Sequence, residues 1–297
     1  MQIARGARGK ARGRWKLRPA DGPVNVTCVD AGKTEREFAF DIRTIGLDTV
    51  EGRLDPCQYG VRYLGEKERK GGRMSLGGDR AVALVSGGLD SVVSLAKARD
   101  EADVRLVLFA DYGQRSVERE RAAVIGVATF YQLPFREVDL AWLRSLAPVG
   151  MRCGESRDPS APLLETIDDV WIPNRNGVLL NVAAAFAESY RCGIVVTGFN
   201  REEAVDFPDN RVEYVAMVNR SFELSTRNGV RVVSYTQDLD KREIVALGIE
   251  LKAPLSLVWS CYDGGEEMCG RCPSCRRLKA AVDALPAEKK PPIRFAG

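Results

Sequence analysis

The sequence predicts an α/β fold: a doubly wound parallel sheet, a C-terminal cysteine-rich segment and a small N-terminal β appendage. Three observations predict it. From Ala81 onward, short apolar runs alternate with helix-like stretches, as strands and helices do when helices cover both faces of a parallel sheet. Before residue 66 the chain is β-rich and partly alternating. Near the C-terminus four of the eight cysteines fall between residues 261 and 275.

Residues 1–20 carry Arg5, Arg8, Lys10, Arg12, Arg14, Lys16 and Arg18 and no acid. The formal net charge of the chain is +3, so the folded body is net negative. This stretch reads as a basic flexible tail. Two uses stay open for it: a solubilising tail, or an arm that seeks nucleic acid or phosphate. Residues 21–65, with "VNVTCVD", "EFAFDIR" and "YGVRYLG", read as the β appendage. Residues 66–80 read as a linker.

Residues 81–250 carry the α/β rhythm. "AVALV", "VRLVLFA", "FREVDL" and "GIVVTGF" read as strands; "SVVSLAKARDE", "VERERAAVIGVATFY" and "NVAAAFAESYR" read as helices. Residues 147–170 form a long Gly/Pro/Ser-bearing loop, either a lid or an insertion. Residues 251–297 hold the cysteines and a tail. No apolar stretch approaches the ~18 residues of a membrane span, and no signal peptide precedes the fold, so the chain reads as cytoplasmic with no membrane partner.

In such sheets ligands bind beyond the carboxyl ends of the strands. "SGGLDS" follows "AVALV" at such an end. Its glycines allow positive φ and close backbone approach. The helix that follows points N–H groups and the positive end of its dipole at an anion. Ser86 and Ser91 add hydroxyls, and Asp90 can cap the helix or help hold magnesium. The Gly-Lys-Ser/Thr end of a Walker A loop is missing. The stretch Val85, Ser86, Gly87, Gly88, Leu89, Asp90 and Ser91 is therefore a candidate pyrophosphate cradle.

Cys261, Cys269, Cys272 and Cys275 form C-x7-C-x2-C-x2-C. Four closely spaced thiolates suit structural zinc with no open position; an iron–sulfur cluster is the rival. Cys28, Cys57, Cys153 and Cys192 are scattered. The chain has no histidine, so any general base is Asp, Glu, Lys, Cys or Tyr.

"SGGLDS" resembles the PP-loop of the ATP pyrophosphatases, which cleave ATP to AMP and pyrophosphate while adenylating a substrate oxygen. From Ala81 to about Leu285 the chain resembles the QueC family of 7-cyano-7-deazaguanine (preQ0) synthases. "DYGQR" at 111–115, "IPNRN" at 172–176, "KREIVALGIEL" and "VWSCYDGGEEMCGRCPSC" carry the resemblance with the PP-loop. One segment departs. The family pattern G-V-N-x-x-D-Y-S-G-Y-P-D-C-R is here "GFNREEAVDFPDNR", so Glu203, Ala204, Val205, Asp206 and Phe207 replace Asp-Tyr-Ser-Gly-Tyr. The family's His after "DYGQR" is Ser116.

The resemblance implies an adenine-nucleotide-hydrolase-like fold and an ATP-dependent carbon–nitrogen ligase. It implies Mg2+-bound ATP as co-substrate, a structural zinc ion on the four clustered cysteines, and 7-carboxy-7-deazaguanine and ammonia as substrates. It implies a homodimer. Asp90 and Asp111 are candidates for magnesium or ribose, and Phe109, Asp111 and Gln114 for the nucleotide. Arg115, Arg175 and Lys241 are candidate catalytic clamps on phosphate or carboxylate, beside Asp90 and Ser91. Tyr112, Arg175, Asn176, Asn200, Phe207, Asp209 and Arg211 are candidate substrate contacts, with Asp209 and Arg211 alternatively an ion pair. Val205 and Phe207 imply a more apolar pocket than the family norm. QueC-like proteins of antiviral operons imply another product, a deazaguanine conjugated to a partner protein or nucleic acid. Two further readings remain: a PP-loop tRNA thiolase, and a nucleic-acid-binding protein using the basic arm. The last predicts salt-sensitive binding that disappears on deleting residues 1–20.

Overall fold

The computed structural model describes residues 80–153 and 168–296, together with the backbone of four short strands in the first 40 residues. The chain divides into two compact units, Met1–Arg73 and Met74–Gly297. In the first, β1 (Gln2–Ala4), β2 (Arg14–Leu17), β3 (Val24–Val29) and β4 (Glu35–Phe40) form an antiparallel sheet in chain order. Two of these strands fall within residues 1–20, where a flexible tail is expected. "RWKL" alternates charged and apolar residues with a strand's period of two, and it pairs with β3 from Arg14↔Val29 to Leu17↔Val26. "YGVRYLG" and nearly all of the expected linker lie outside the described residues, as does the loop at 154–167.

The second unit contains β5 (Arg80–Leu84), α1 (Leu89–Glu101), β6 (Asp103–Asp111), α2 (Val117–Phe130), β7 (Phe135–Asp139), α3 (Arg175–Ser189) and β8 (Ile194–Thr197). It continues with α4 (Glu203–Asp206), α5 (Val212–Ser225), β9 (Arg231–Ser234), α6 (Lys241–Glu250) and α7 (Pro273–Asp283). The five strands are all parallel, in the order β7-β6-β5-β8-β9. The chain winds outward from β5 to β7, then crosses back to β8. The order therefore reverses between β5 and β8, which opens a crevice beyond their carboxyl ends.

Strand residues alternate between two cores. Ala81, Ala83, Val107, Phe109, Ile194 and Val196 face α1, α2, α6 and α7. Val82, Leu106, Leu108, Val195 and Val232 face α3 and α5. Both faces of the central strands are covered, which is why β5 and β8 read as unbroken apolar runs. One irregularity interrupts β5–β6 pairing: Ala81 lies opposite Val104 and Val82 opposite Leu106, so Arg105 is skipped.

Every strand and helix expected in this unit is present, but α1 and α3 start earlier than the apolar pattern suggests, at Leu89 and Arg175. α4, α5, β9, α6 and α7 escaped the sequence reading. α4 and β9 are each only four residues long. Among the described residues, no helix is long and apolar enough to cross a membrane.

Gly198 sets the width of the crevice. A Cβ there would lie 2.6 Å from the Asp90 carbonyl carbon and closer still to the Ser91 nitrogen, so only glycine lets the end of β8 meet the first turn of α1. The obstacle is backbone and cannot rotate away. Gly198→Ala is expected to destabilise the protein by about 3 kcal/mol, read as a lower urea midpoint at unchanged slope.

Candidate functional site

The loop after β5 is shaped by its own hydroxyls. Gly87 has φ +83°, and a Cβ on it would sit 3.0 Å from Ala123 Cβ and 3.1 Å from the Glu120 carbonyl oxygen. Ser91 Oγ lies inside the turn, accepting from the Ser86 N–H at 3.2 Å and donating to the Gly88 carbonyl at 3.0 Å. Gly88 caps α1 without a side chain, and Leu89 N–H reaches Ser260 Oγ only at 3.5 Å. The first turn thus presents N–H groups to the crevice, the arrangement that receives an anion.

A buried charge cluster stands beside it. Lys241, the first residue of α6, is 5% exposed. An Asp240–Glu243 capping box fixes the start of that helix. Lys241 Nζ donates to Asp90 Oδ2 at 2.5 Å and to Glu203 Oε1 at 3.0 Å. Asn200 donates to Asp90 Oδ2 at 3.2 Å and accepts the Glu203 N–H at 2.9 Å, tying the two carboxylates to one frame. From α7, Arg277 reaches Asp206 at 3.3 Å and Glu203 at 3.8 Å. Asp90 Oδ1 is buried with no partner. Burial, reinforced by the Glu203 charge, raises the Asp90 carboxyl above its usual range, although Lys241 opposes this. Burial also pushes Glu203 up, but Lys241 and Arg277 outweigh it and hold Glu203 low. The two carboxylates likewise outweigh the desolvation of Lys241, which stays charged.

The opposite wall is built by the turn after β6 and the start of α3. Arg175 Nη1 donates to Tyr112 Oη at 3.4 Å, and its guanidinium lies 5.4 Å from the centre of the Tyr112 ring. Burial pushes the Tyr112 hydroxyl up to about 12, so it remains protonated. Gln114 is fully buried; its Oε1 accepts the Tyr112 N–H at 2.9 Å, and its Nε2 donates to Glu120 Oε2 at 2.8 Å. Ser116 Oγ donates to Glu120 Oε1 at 2.6 Å. Phe207 stacks on Trp171 with ring centres 6.0 Å apart.

One cleft collects Val85, Ser86, Gly88, Asp90, Ser91, Phe109, Tyr112, Arg175, Asn176, Phe207 and Lys241 of the candidates named from sequence. Others serve the scaffold. Leu89 is core. Asp111 accepts from the Gly113 N–H and from Arg121, both at 2.9 Å, so its two oxygens hold a turn and a helix. Gln114 is consumed as described. Arg115 donates to the Gly150 carbonyl at 2.9 Å and fastens the 149–151 turn. Asn200 acts through Asp90. Asp209 and Arg211 form no ion pair with each other: Asn210 donates to Asp209, and exposed Arg211 donates to the Ala204 carbonyl at 3.1 Å. Val205 is 73% exposed on α4, so of the two apolar replacements only Phe207 lines the cleft.

Sequence reasoning missed Glu120, Glu203, Trp259, Ser260 and Tyr262, all of which line the cleft. A signal existed for Glu203: it keeps an acid where the family pattern has Asp. Trp259 and Ser260 directly precede the first clustered cysteine, and nothing in their type announces the position.

The four Sγ atoms of Cys261, Cys269, Cys272 and Cys275 lie within 4.8 Å of one another. Backbone N–H groups point at three of them: Asp263 and Cys269 at Cys261 Sγ (3.4 and 3.3 Å), Cys272 at Cys269 Sγ (3.4 Å), and Cys275 at Cys272 Sγ (3.5 Å). Such donors favour thiolates. A tetrahedral ion with bonds of about 2.3 Å sets its sulfurs about 3.8 Å apart, so the spacing suits one metal ion. The cluster is built into the core beside α1 and α6, with Cys261, Cys272 and Cys275 buried among Leu278, Val258 and Ile244.

The profile of the family described as "Queuosine biosynthesis protein QueC" matches residues 80–285. Proteins named 7-cyano-7-deazaguanine synthase are similar over the same unit. The one from Pelotomaculum thermopropionicum is 48% identical over 215 residues, covering 69% of this chain and 97% of the relative. That from Desulforudis audaxviator is 48% identical over 210 residues, covering 68% and 96%. A solved structure of the U34-tRNA thiolase NcsA from Methanococcus maripaludis, with its 4Fe–4S cluster, has a TM-score of 0.40 at 15% identity, covering 73% of this chain and 71% of that one.

The lysine cluster makes a stability prediction. Lys241→Ala strands Asp90 without its cation, and a loss of about 3–5 kcal/mol at pH 7 is expected in chemical denaturation. The orphaned carboxyl then has a higher pKa folded than unfolded, so the folded state holds the extra proton. The loss therefore shrinks as pH falls through that folded value.

Proposed function

The chain belongs to the QueC family, and from that premise we propose that it is an ATP-dependent carbon–nitrogen ligase acting on the carboxylate of 7-carboxy-7-deazaguanine. The observation that carries the reading is the meeting, in one cleft, of the Ser86–Ser91 loop with buried Lys241. The substrate carboxylate attacks the α-phosphorus of ATP, and the bond from that phosphorus to the bridging oxygen breaks. Pyrophosphate leaves toward the first-turn N–H groups of α1 and the Ser86 hydroxyl. Lys241 has three donors, of which Asp90 and Glu203 use two; the third is available to an α-phosphate oxygen. The unpartnered Asp90 Oδ1 fits the magnesium ion that accompanies ATP and that, when bound, neutralises triphosphate charge. Arg175 and Asn176 contact the deazapurine carboxylate, and Phe109 the adenine.

Ammonia then attacks the acyl carbon, AMP leaves, and the amide forms. A second ATP then adenylates the amide oxygen with release of pyrophosphate. Elimination of AMP, which carries that oxygen away, with loss of the nitrogen's protons yields the nitrile in the relatives' names. The four cysteines hold a structural zinc ion, a reading supported by sulfur spacing that suits a single ion and by the burial of the cluster. A second reading concerns the acceptor. Met1–Arg73 lies outside the residues matched to the family, which favours a variant that passes the activated deazaguanine to an amine on a partner macromolecule.

Incubation with ATP, ammonium and 7-carboxy-7-deazaguanine is expected to give AMP, pyrophosphate and, by mass spectrometry, the free amide and nitrile. Deazaguanine mass found only on a protein or nucleic acid favours the second reading. Asp90→Ala is expected to lower substrate-dependent AMP formation by about 10²-fold or more, and unchanged turnover would sink the cradle. Metal analysis of the purified chain is expected to give one zinc per chain, and removing it is expected to lower the melting temperature. An iron-bound, brown protein contradicts the zinc assignment.

A further inference from the structure

Among the described residues, three carboxylates line the cleft: Asp90, Glu203 and Glu120. Asp90 and Glu203 both hold Lys241. Among the described residues Glu120 makes no ion pair; it is half-buried on the first turn of α2, close to Gly87. Its orientation is nonetheless fixed. Ser116 Oγ donates to Oε1 at 2.6 Å, and Gln114 Nε2 donates to Oε2 at 2.8 Å. The Gln114 amide cannot turn over, because its Oε1 accepts the Tyr112 N–H and its Nε2 also donates to the Ala110 carbonyl at 3.2 Å. Each Glu120 oxygen keeps one lone pair free. The "DYGQRS" stretch thus shapes a carboxylate at the cleft wall.

We infer that Glu120 is the general base of the amination step, docking ammonium in the cleft and taking its proton. The inference rests on the ligase reading above. The chain has no histidine, and the other cleft-lining carboxylates among the described residues are committed to Lys241. Ammonium offers N–H donors and a positive charge to an unpaired carboxylate. Glu120 accepts one ammonium proton and passes it to cleft water. The nitrogen lone pair forms the bond to the acyl carbon, and the carbon–oxygen bond to AMP breaks with its electrons going to the phosphate. The surplus proton on nitrogen follows the first through Glu120. Burial raises the Glu120 carboxyl towards neutrality, where a base works best; the hydrogen bonds from Ser116 and Gln114 and the charge of Arg175 oppose this, and Asp111 adds to it. Tyr112, protonated, is the remaining titratable neighbour on that wall.

The test separates two partial reactions. Isotope exchange between pyrophosphate and ATP, dependent on 7-carboxy-7-deazaguanine, reports activation alone. Amide formation reports amination. For Glu120→Gln, exchange is expected within about threefold of wild type, while amide formation at pH 7 falls about 10²-fold. The wild-type rise of amination with pH is expected to flatten. Ser116→Ala, which removes one orienting bond, is expected to shift amination the same way by about tenfold or less, again sparing exchange. Equal loss of both reactions in Glu120→Gln would make Glu120 part of the nucleotide site and overturn the inference, as would amination at the wild-type rate. A wild-type chain that shows no exchange instead removes the ligase reading itself, a result distinct from either.

Discussion

The cleft depends on one buried amine. Lys241 reaches in from the start of α6 and is met by Asp90 from the start of α1 and Glu203 from α4. These three elements come from distant parts of the sequence and follow different strands. Their only common feature is that they converge where the sheet order reverses. Charge in such a place is costly unless matched, so each group fixes the others: removing one leaves its partners buried and unpaired. Asn200 adds neutral bonds to both acids, and Arg277 brings α7 into the same network. The helix that carries Cys275 is therefore electrostatically continuous with the start of α1.

That network gives physical meaning to the segment in which this chain leaves the family pattern. Glu203 preserves an acid one methylene longer than the family's Asp. Asp206, where the family has glycine, is the partner of Arg277. The change therefore alters how the wall of the cleft is tied to α7 more than it alters polarity inside the cleft. Val205 points away, and only Phe207, stacked on Trp171, contributes apolar surface.

The parallel sheet was legible because β5 and β8 are covered on both faces and so carry unbroken apolar runs. The tight turn from β5 into α1 was legible because few local structures need two glycines, an aspartate and two serines at a strand end. The four cysteines whose sulfurs gather declared themselves by spacing. What stayed hidden depends on contacts that no local pattern encodes. Asp111 and Gln114 lie in a recognisable motif, yet their side chains turn inward to hold a turn and to aim Glu120. Lys241 is a candidate from sequence, but its pairing with Asp90 and Glu203 arises only when α1 and α4 fold over it. Trp259 and Ser260 enter the cleft only because the segment carrying Cys261 packs against the loop, with Trp259 N–H bonded to the Gly87 carbonyl at 2.9 Å.

The position of the cysteines also governs the order in which the molecule can be completed. The core on the α1 face begins with Ala81 and ends with Val282, and its last third comes from Leu255, Val258, Met268, Leu278, Ala281, Val282 and the sulfurs between them. A chain emerging from the ribosome shows its N-terminal strands first, while the residues that cover this face are made among the last. Until they arrive, the apolar surfaces of α1 and α6 have nothing to close over them. The closing segment also brings the four cysteine sulfurs within 4.8 Å of one another. A chain that stops short of this segment leaves that face of its core open to proteases and aggregation.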